Sequence, residues 1–273
     1  MKSWQKTVKY IAIAFAVVLI CGIFAGIFGI LGAVNFVNGI GSKMTEAPLL
    51  VENAVFSVSD KAMNLDVELG VVKFSVKTDV TFRVETNLDN IIVTEYGNKL
   101  KIEEKNVYKN YPSGAFVALY VPDNFVFEEV EINAGAGNVA IEKIYAADID
   151  FDLGAGMLEI GYLSSARKTE ISGGVGDIVI KNANLNNPNI TTGVGEFVFN
   201  GGITGFASFE LGVGNADITV SGDKDDYTVD VSKGLGLVYV DGSNVDDSTV
   251  IGDGVNTLNV SGGIGKIKIT FNG

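Results

Sequence analysis

A Gly-x-Gly element recurs seven times between residues 130 and 271, and this repeat restricts the fold more than any other feature of the chain. Successive first glycines are 19, 20, 19, 19, 22 and 29 residues apart. The pairs are Gly135/Gly137, Gly154/Gly156, Gly174/Gly176, Gly193/Gly195, Gly212/Gly214, Gly234/Gly236 and Gly263/Gly265. A period near twenty residues indicates repeated units, each of which buries its apolar face against its neighbours.

Apolar residues keep fixed positions around each glycine pair. In the first unit these are Ile132, Ala136, Val139 and Ile141, which lie three residues before and one, four and six residues after the first glycine. The step of two between the last pair of positions is the period of a strand with one buried face. We therefore predict an all-β domain, a β-solenoid of about 19–20 residues per coil, with the glycines at the turns.

Residues 130–140 imitate a dinucleotide-binding glycine turn, because a strand precedes Gly135 and Gly137. That fingerprint requires a helix after the glycines, with its N-terminus directed at the pyrophosphate. Strand-like alternation follows here instead, and the same element returns six more times. The repeated strand is the preferred interpretation.

The N-terminus is basic and then strongly apolar. Lys2, Lys6 and Lys9 precede an uncharged run, whose most apolar part, residues 11–34, is long enough to cross a bilayer as a helix. This run exceeds the length of a signal-peptide core, so an uncleaved anchor is predicted. The lysines place residues 1–9 in the cytoplasm, residues 10–37 in the membrane and the remainder outside the cytoplasm.

The rest of the chain divides by composition. Residues 38–53 have the small and polar composition of a linker, residues 54–130 contain alternating strands, and residues 131–273 contain the glycine repeats. Gly97 and Asn98 join two alternating runs, a pattern typical of a hairpin. Residues 241–256 are rich in Asp, Gly, Ser and Asn, which predicts an exposed excursion before a final strand that ends the domain.

Charge and residue types exclude several functions. All 33 acidic residues follow Lys43, whereas four of the 20 basic residues do not, so the chain after Lys43 has a net charge of −17. This charge argues against binding to nucleic acid or anionic lipid. The chain has no histidine, the commonest general base and metal ligand. We expect no catalytic residues, no cofactor and no metal site.

One acidic stretch imitates a calcium loop. Asp148, Asp150 and Asp152 alternate, with Glu159 at the twelfth position, but Leu153 occupies the sixth position, where an EF-hand needs glycine. A solvated strand is the favoured interpretation, and a weak calcium site is the alternative.

Two groups of residues are candidates for surface contacts. Tyr108 and Tyr111 lie in an aromatic loop, where they bind a sugar or simply tether the loop. Val179, Val198 and Tyr239 share an outward-facing position of the repeat. The sequence alone does not choose between these alternatives.

The strand repeats, the hairpin around Gly97 and the closing stretch from Gly262 to Ile269 resemble the bacterial putative-adhesin β-strand-repeat family. The resemblance covers residues 64–271 and concerns glycines and core positions. It implies a β-repeat fold and a role at the cell surface, but it transfers no functional residues.

Three functional hypotheses follow. The first is a membrane-anchored, non-catalytic surface module that binds an envelope or host-surface glycan or protein. The second is an envelope-stress sensor or scaffold that signals through the predicted transmembrane helix, where Gly22 and Gly26 could also pair helices in a homo-oligomer. The third, a carbohydrate-active enzyme, has the least support because no acid cluster with a basic partner can be identified.

Overall fold

The computed structural model describes residues 48–106, 108 and 111–273. The described chain is all-β, with one short 3₁₀ turn at Lys224–Asp226. The strands are β1 (Leu50–Ser57), β2 (Asn64–Leu69), β3 (Lys73–Asp79), β4 (Arg83–Leu88), β5 (Ile91–Tyr96), β6 (Lys99–Glu104), β7 (Phe116–Pro122), β8 (Val126–Ala136), β9 (Val139–Ala155), β10 (Leu158–Val175), β11 (Ile178–Ile180), β12 (Ala183–Asn186), β13 (Pro188–Val194), β14 (Phe197–Thr204), β15 (Phe206–Val213), β16 (Ala216–Val220), β17 (Tyr227–Val240), β18 (Ser243–Val245), β19 (Thr249–Ile251) and β20 (Asn256–Phe271).

Seven strands each contain the first glycine of one Gly-x-Gly pair, and they lie side by side in parallel. Their spatial order is β8, β9, β10, β13, β15, β20 and β17. The register brings equivalent repeat positions opposite one another. The position three residues before the glycines thus forms one continuous row: Ile132, Phe151, Ile171, Ile190, Phe209, Val260 and Val231.

The chain bends at each glycine pair, so residues before and after the pair face the same core. Phe209, before its pair, packs against Phe197 and Phe199, which follow the previous pair, with ring centroids 5.6 and 5.4 Å apart. All residues at the predicted inward positions, three before and four and six after the first glycine, are buried. The predicted strand alternation is therefore confirmed.

The glycines allow neighbouring backbones to approach closely at the bend. A Cβ on Gly176 would overlap the carbonyl oxygen of Gly156, and the second glycines continue this relation from strand to strand. Most of these second glycines also have positive φ, for example +141° at Gly176 and +136° at Gly156. Glycine is required here both for space and for backbone conformation.

The N-terminal strands extend the same parallel rows. β2 pairs with β8, and β3 pairs with β9, both in parallel. β4 pairs antiparallel with β1 on one side and with β7 on the other. β5 pairs antiparallel with β6 through the predicted turn at Gly97. Residues 54–130 thus share one core with the glycine repeats.

The prediction of a β-solenoid behind one transmembrane helix is wrong. The twenty strands form a single sheet, in which seven parallel strands close around the core and the other strands are added to them. The units do not follow one another in chain order, because the seventh, on β20, lies between the fifth, on β15, and the sixth, on β17. Antiparallel pairs are also part of the sheet.

The long segment between the sixth and seventh repeats explains why β20 lies between β15 and β17. β18 and β19 both pair antiparallel with β17, so the chain returns along β17 before β20 begins. β20 then pairs with β15 and β16 on one side and with β17 on the other. The last strand of the chain is therefore an internal strand, not the end of the domain that we predicted.

The described residues also correct the predicted location. Across residues 48–106, 108 and 111–273, we find no helix that is both long and apolar enough to cross a bilayer. The predicted single-pass arrangement, with a cytoplasmic N-terminus and an extracytoplasmic domain, is thus not supported. Residues 10–37, including Gly22 and Gly26, lie outside the described residues.

Replacing Gly176 with alanine should lower the free energy of unfolding by at least about 3 kcal/mol, because both close approach and positive φ oppose a side chain. Gly97→Ala is the matched control. Its φ is +63°, but no atom lies within 4 Å of the new Cβ, so the expected loss is about 1–2 kcal/mol. Urea unfolding followed by circular dichroism measures both losses, and equal losses would contradict the close-approach explanation.

Candidate functional site

Two tyrosines lie side by side on the outer surface of β9 and β10. Tyr145 is opposite Ser164, and Tyr162 is opposite Lys143, so the two rings are diagonal neighbours on adjacent strands. On the next strand, β12, Asn184 is opposite Ser164. The strand pairing thus fixes which side chains meet, since the backbone positions of all three strands are set by the ladder.

The side chains form a connected group. The ring centroids of Tyr145 and Tyr162 are 5.4 Å apart, and the rings are tilted by 52°. The Asn184 amide nitrogen donates a hydrogen bond of 3.0 Å to the Tyr162 hydroxyl. At the other end, Lys143 lies 5.8 Å from the centre of the Tyr145 ring and forms a 2.8 Å ion pair with Asp123. We call Asp123, Lys143, Tyr145, Tyr162 and Asn184 the tyrosine panel.

Asp123 and Lys143 form an ion pair that keeps both of these side chains charged. The hydrogen bond from Lys143 lowers the pKa of the Asp123 carboxyl, and the same bond raises the pKa of the Lys143 ammonium. Both groups therefore stay ionised over a wider pH range than isolated residues would. Because Asp123 is exposed and Lys143 is only half-buried, the pair orients the lysine and contributes little to folding stability.

This arrangement suits a ligand that is apolar on one face and polar at its rim. The half-buried tyrosine rings offer rigid apolar surface with a hydroxyl at the edge. Amide, ammonium and carboxylate groups surround the rings and provide both donors and acceptors. A sugar ring has this combination of C–H faces and peripheral hydroxyls.

A second surface feature is a row of acids on strands β8, β9 and β10. Glu131 is opposite Asp150, and Asp150 is opposite Glu170. Partial shielding from water raises the pKa of the Asp150 carboxyl, and the charges of Glu170 and Glu131 raise it further. Directly opposed like charges oppose strand pairing.

The alternating aspartates that resemble a calcium loop, Asp148, Asp150 and Asp152, lie on β9. Ile149 and Phe151 are buried, so the alternating aspartates face outward, as in a solvated strand. Asp148 pairs with Arg167 at 2.6 Å, and Arg167 also reaches Glu128 at 2.8 Å. Within the described residues, no group of three or more acidic or cysteine side chains is placed to hold a metal ion.

Tyr108 and Tyr111, the predicted aromatic contact residues, contact each other. Tyr108 and Tyr111 pack edge to face with centroids 6.2 Å apart, and the Tyr108 backbone N–H donates to the Tyr111 hydroxyl at 3.3 Å. Tyr111 also packs against the core. Of the two alternatives, loop tethering describes these contacts.

Charged residues separate the members of the second predicted group, Val179, Val198 and Tyr239. Val179 and Val198 are direct neighbours across β11 and β14. Tyr239 belongs to the same outward row, but Asp217 and Lys268 stand between it and Val198. The structure therefore brings together only two of these three residues.

Strand alternation in the sequence does not by itself place the tyrosine panel on the surface. Tyr145 lies ten residues after its first glycine, and Tyr162 lies eight residues after the next one. Both offsets are even, like the buried positions four and six, so alternation alone would direct both rings into the core. Ile144 and Leu163, nine residues after their first glycines, are buried instead, which shows that the alternation shifts by one residue beyond position six and places both tyrosines outside. The two offsets differ by two, so the tyrosines become diagonal neighbours only when the register of β9 and β10 is known.

No protein-family model matches the chain, and neither does any curated protein. Similar solved structures include a putative cell adhesion protein from Clostridium sporogenes, at 16% identity and TM-score 0.37, covering 82% of this chain and 100% of that one. A putative adhesin from Bacteroides fragilis has 13% identity and TM-score 0.37, covering 82% and 98%. A putative lipid binding protein from Parabacteroides distasonis has 16% identity and TM-score 0.33, covering 82% and 97%.

Two of these three neighbours carry the adhesion description that the sequence resemblance also names. At such identities and TM-scores, the likeness assigns no function to this chain. The functional inference depends on the surface of the molecule itself.

Asp150→Asn should raise the free energy of unfolding near neutral pH by about 0.5 kcal/mol, because it removes the charge opposed by Glu131 and Glu170. The folded-state pKa of Asp150 is raised, so its ionised form destabilises the fold above that pKa. The gain should therefore shrink as the pH falls and the native carboxyl becomes protonated. Urea unfolding at about pH 7 and about pH 3 measures this, and a gain independent of pH would contradict the electrostatic explanation.

Proposed function

We propose that this protein is a non-catalytic, adhesin-like surface module that binds a glycan through the tyrosine panel. The single observation behind this proposal is the pair of tyrosine rings, 5.4 Å apart, bordered by an amide and an ion pair. The sequence leaves two partner classes open, glycan and protein, and we assign the panel to a glycan.

The rigidity of the scaffold supports this assignment. Tyr145 and Tyr162 project from strands that pair over almost their whole length, from Val139 to Ala155 on β9. The buried residues next to them, Ile144 and Leu163, anchor the same strands in the core. Rings that are already ordered lose little conformational entropy on binding.

The charge of the molecule supports a neutral or weakly charged ligand. The chain after Lys43 has a net charge of −17, so it repels polyanions. Lys143 is compensated by Asp123 and is not a free site for an anion. A glycan whose recognition depends on ring stacking and hydroxyl hydrogen bonds is compatible with this surface.

Tyr145→Ala and Tyr162→Ala should each weaken glycan binding by about tenfold or more, because each removes one of the two stacking faces. The full chain is first screened on an array of bacterial-envelope and host-surface oligosaccharides. Titration calorimetry with the best-bound oligosaccharide then gives the dissociation constants. Tyr96→Ala is the matched control, since Tyr96 is 89% exposed on the remote β5 hairpin and should leave binding unchanged.

Three results would contradict the proposal. The array shows no binding, both panel variants bind as tightly as the parent chain, or Tyr96→Ala weakens binding equally. The non-catalytic part is checked by incubating the bound oligosaccharide with the protein and analysing it by mass spectrometry. A shortened or modified product would overturn that part alone.

A further inference from the structure

The residues between the paired glycines form an exposed apolar ridge. We call this set the corner ridge, and in spatial order it consists of Ala136, Ala155, Val175, Val194, Val213, Ile264 and Leu235. Val175 is 59% exposed, Leu235 46%, and Val194 and Ile264 40% each, whereas Val213 at the centre of the larger part is half-buried. Apolar side chains at this repeat position therefore face the solvent, whereas the other apolar positions of the repeat face the core.

The backbone holds the ridge residues in a fixed row. In five of the pairs, the N–H of the second glycine donates to the carbonyl of the ridge residue on the next strand. Examples are Gly176 to Val194 at 2.8 Å and Gly195 to Val213 at 3.0 Å. The rows of glycines on both sides contribute no side chains, so each ridge residue stands above a flat backbone surface. Adjacent ridge residues are about 4.8 Å apart, which is one strand spacing.

The ridge is largest at one end. Its first two members are alanines, whereas the five members on β10, β13, β15, β20 and β17 are valine, isoleucine or leucine. Four spacings give this larger part a length of about 19 Å. Exposed and contiguous apolar surface of this kind is typical of an interaction site.

Charges beside this larger part of the ridge indicate the partner. Glu196 and Lys266 are exposed and lie two residues beyond Val194 and Ile264, on the same side of the ridge. No ion pair in the described part of the chain includes either residue, and the Lys266 ammonium lies 5.2 Å from the centre of the Tyr239 ring. Asn215 occupies the equivalent place on the strand between them, and its side-chain oxygen accepts the Lys266 backbone N–H at 3.2 Å. The unpaired acid and base thus lie symmetrically on either side of Asn215.

We propose that the larger part of the corner ridge is the contact surface between two copies of this chain. A two-fold axis through β15 places Val213 against Val213 of the second copy. It also places Val194 against Ile264 and Val175 against Leu235. The same axis brings Glu196 of each copy to Lys266 of the other, which gives two ion pairs. Such mutual contacts are the property of a two-fold interface.

Periodicity and charge both favour a second copy as the occupant. A second copy has the same strand spacing, so each of its ridge residues can meet one ridge residue of the first copy along the full ~19 Å. Its Lys266 also neutralises Glu196, whereas an anionic lipid surface would be repelled by Glu196 and by the net charge of −17. The short contact lies at the small end of specific interfaces, so the dimer should depend on protein concentration.

Cysteine cross-linking of the full chain tests this geometry. Val213→Cys, in a Cys21→Ser background that removes the natural cysteine, should form several times more disulfide-linked dimer under mild oxidation than Val255→Cys. Val255 is 92% exposed and lies outside the ridge, so it reports random collisions. Circular dichroism confirms that each variant is folded. Equal dimer yields from the two positions would overturn the proposal.

A charge exchange tests the two-fold register. In the Val213→Cys chain, Glu196→Lys or Lys266→Glu alone should lower the dimer yield by about fivefold, because attractive pairs become repulsive. Combining the two substitutions recreates the ion pairs in reversed order and should restore the yield. Failure of the double variant to exceed the single variants would overturn the proposed axis. Both substitutions are at exposed residues, so folding is preserved.

Discussion

The close approach of glycine backbones at the bend is the constraint on which the rest of this structure depends. At each bend, the carbonyl oxygen of one glycine occupies the place where a side chain would stand on the glycine of the next strand. This relation links Gly137, Gly156, Gly176 and their equivalents across the seven parallel strands. It lets the strands turn sharply and close around a narrow core of aliphatic and phenylalanine side chains. The surrounding sequence can vary, provided that the inward positions stay apolar.

The same constraint decides what appears on the outer surface. Because the strands pair in register, each outward position of the repeat becomes a straight row across the molecule. A row of ridge residues produces the proposed dimer contact, and a diagonal between two rows produces the tyrosine panel. The two surfaces use different offsets from the glycines, so substitutions on one leave the other in place.

The local structure could be predicted well from the sequence, because the strand period and the glycine positions are local signals. Ile132, Val139 and Ile141 are buried as predicted, and so are their equivalents in the other six units. The spatial order could not be predicted. It depends on how β18 and β19 return along β17, and no periodic signal in residues 241–256 reports that path. The position between the glycines was also ambiguous, because an apolar residue at a bend can face inward or outward.

The candidate site was less predictable than the fold. Tyr108 and Tyr111 form an aromatic cluster in the sequence, but in the structure they contact each other. Tyr145 and Tyr162 are 17 residues apart and become neighbours only when the strand register is known.

The measurement that tests the account most directly is the strand order in solution, from backbone nuclear Overhauser effects of the isotopically labelled protein. The structure predicts cross-strand contacts between Phe209 and Val260, with Val231 contacting Val260 on its other side. Direct contacts between Phe209 and Val231 would instead show units paired in chain order and would contradict the architecture described above.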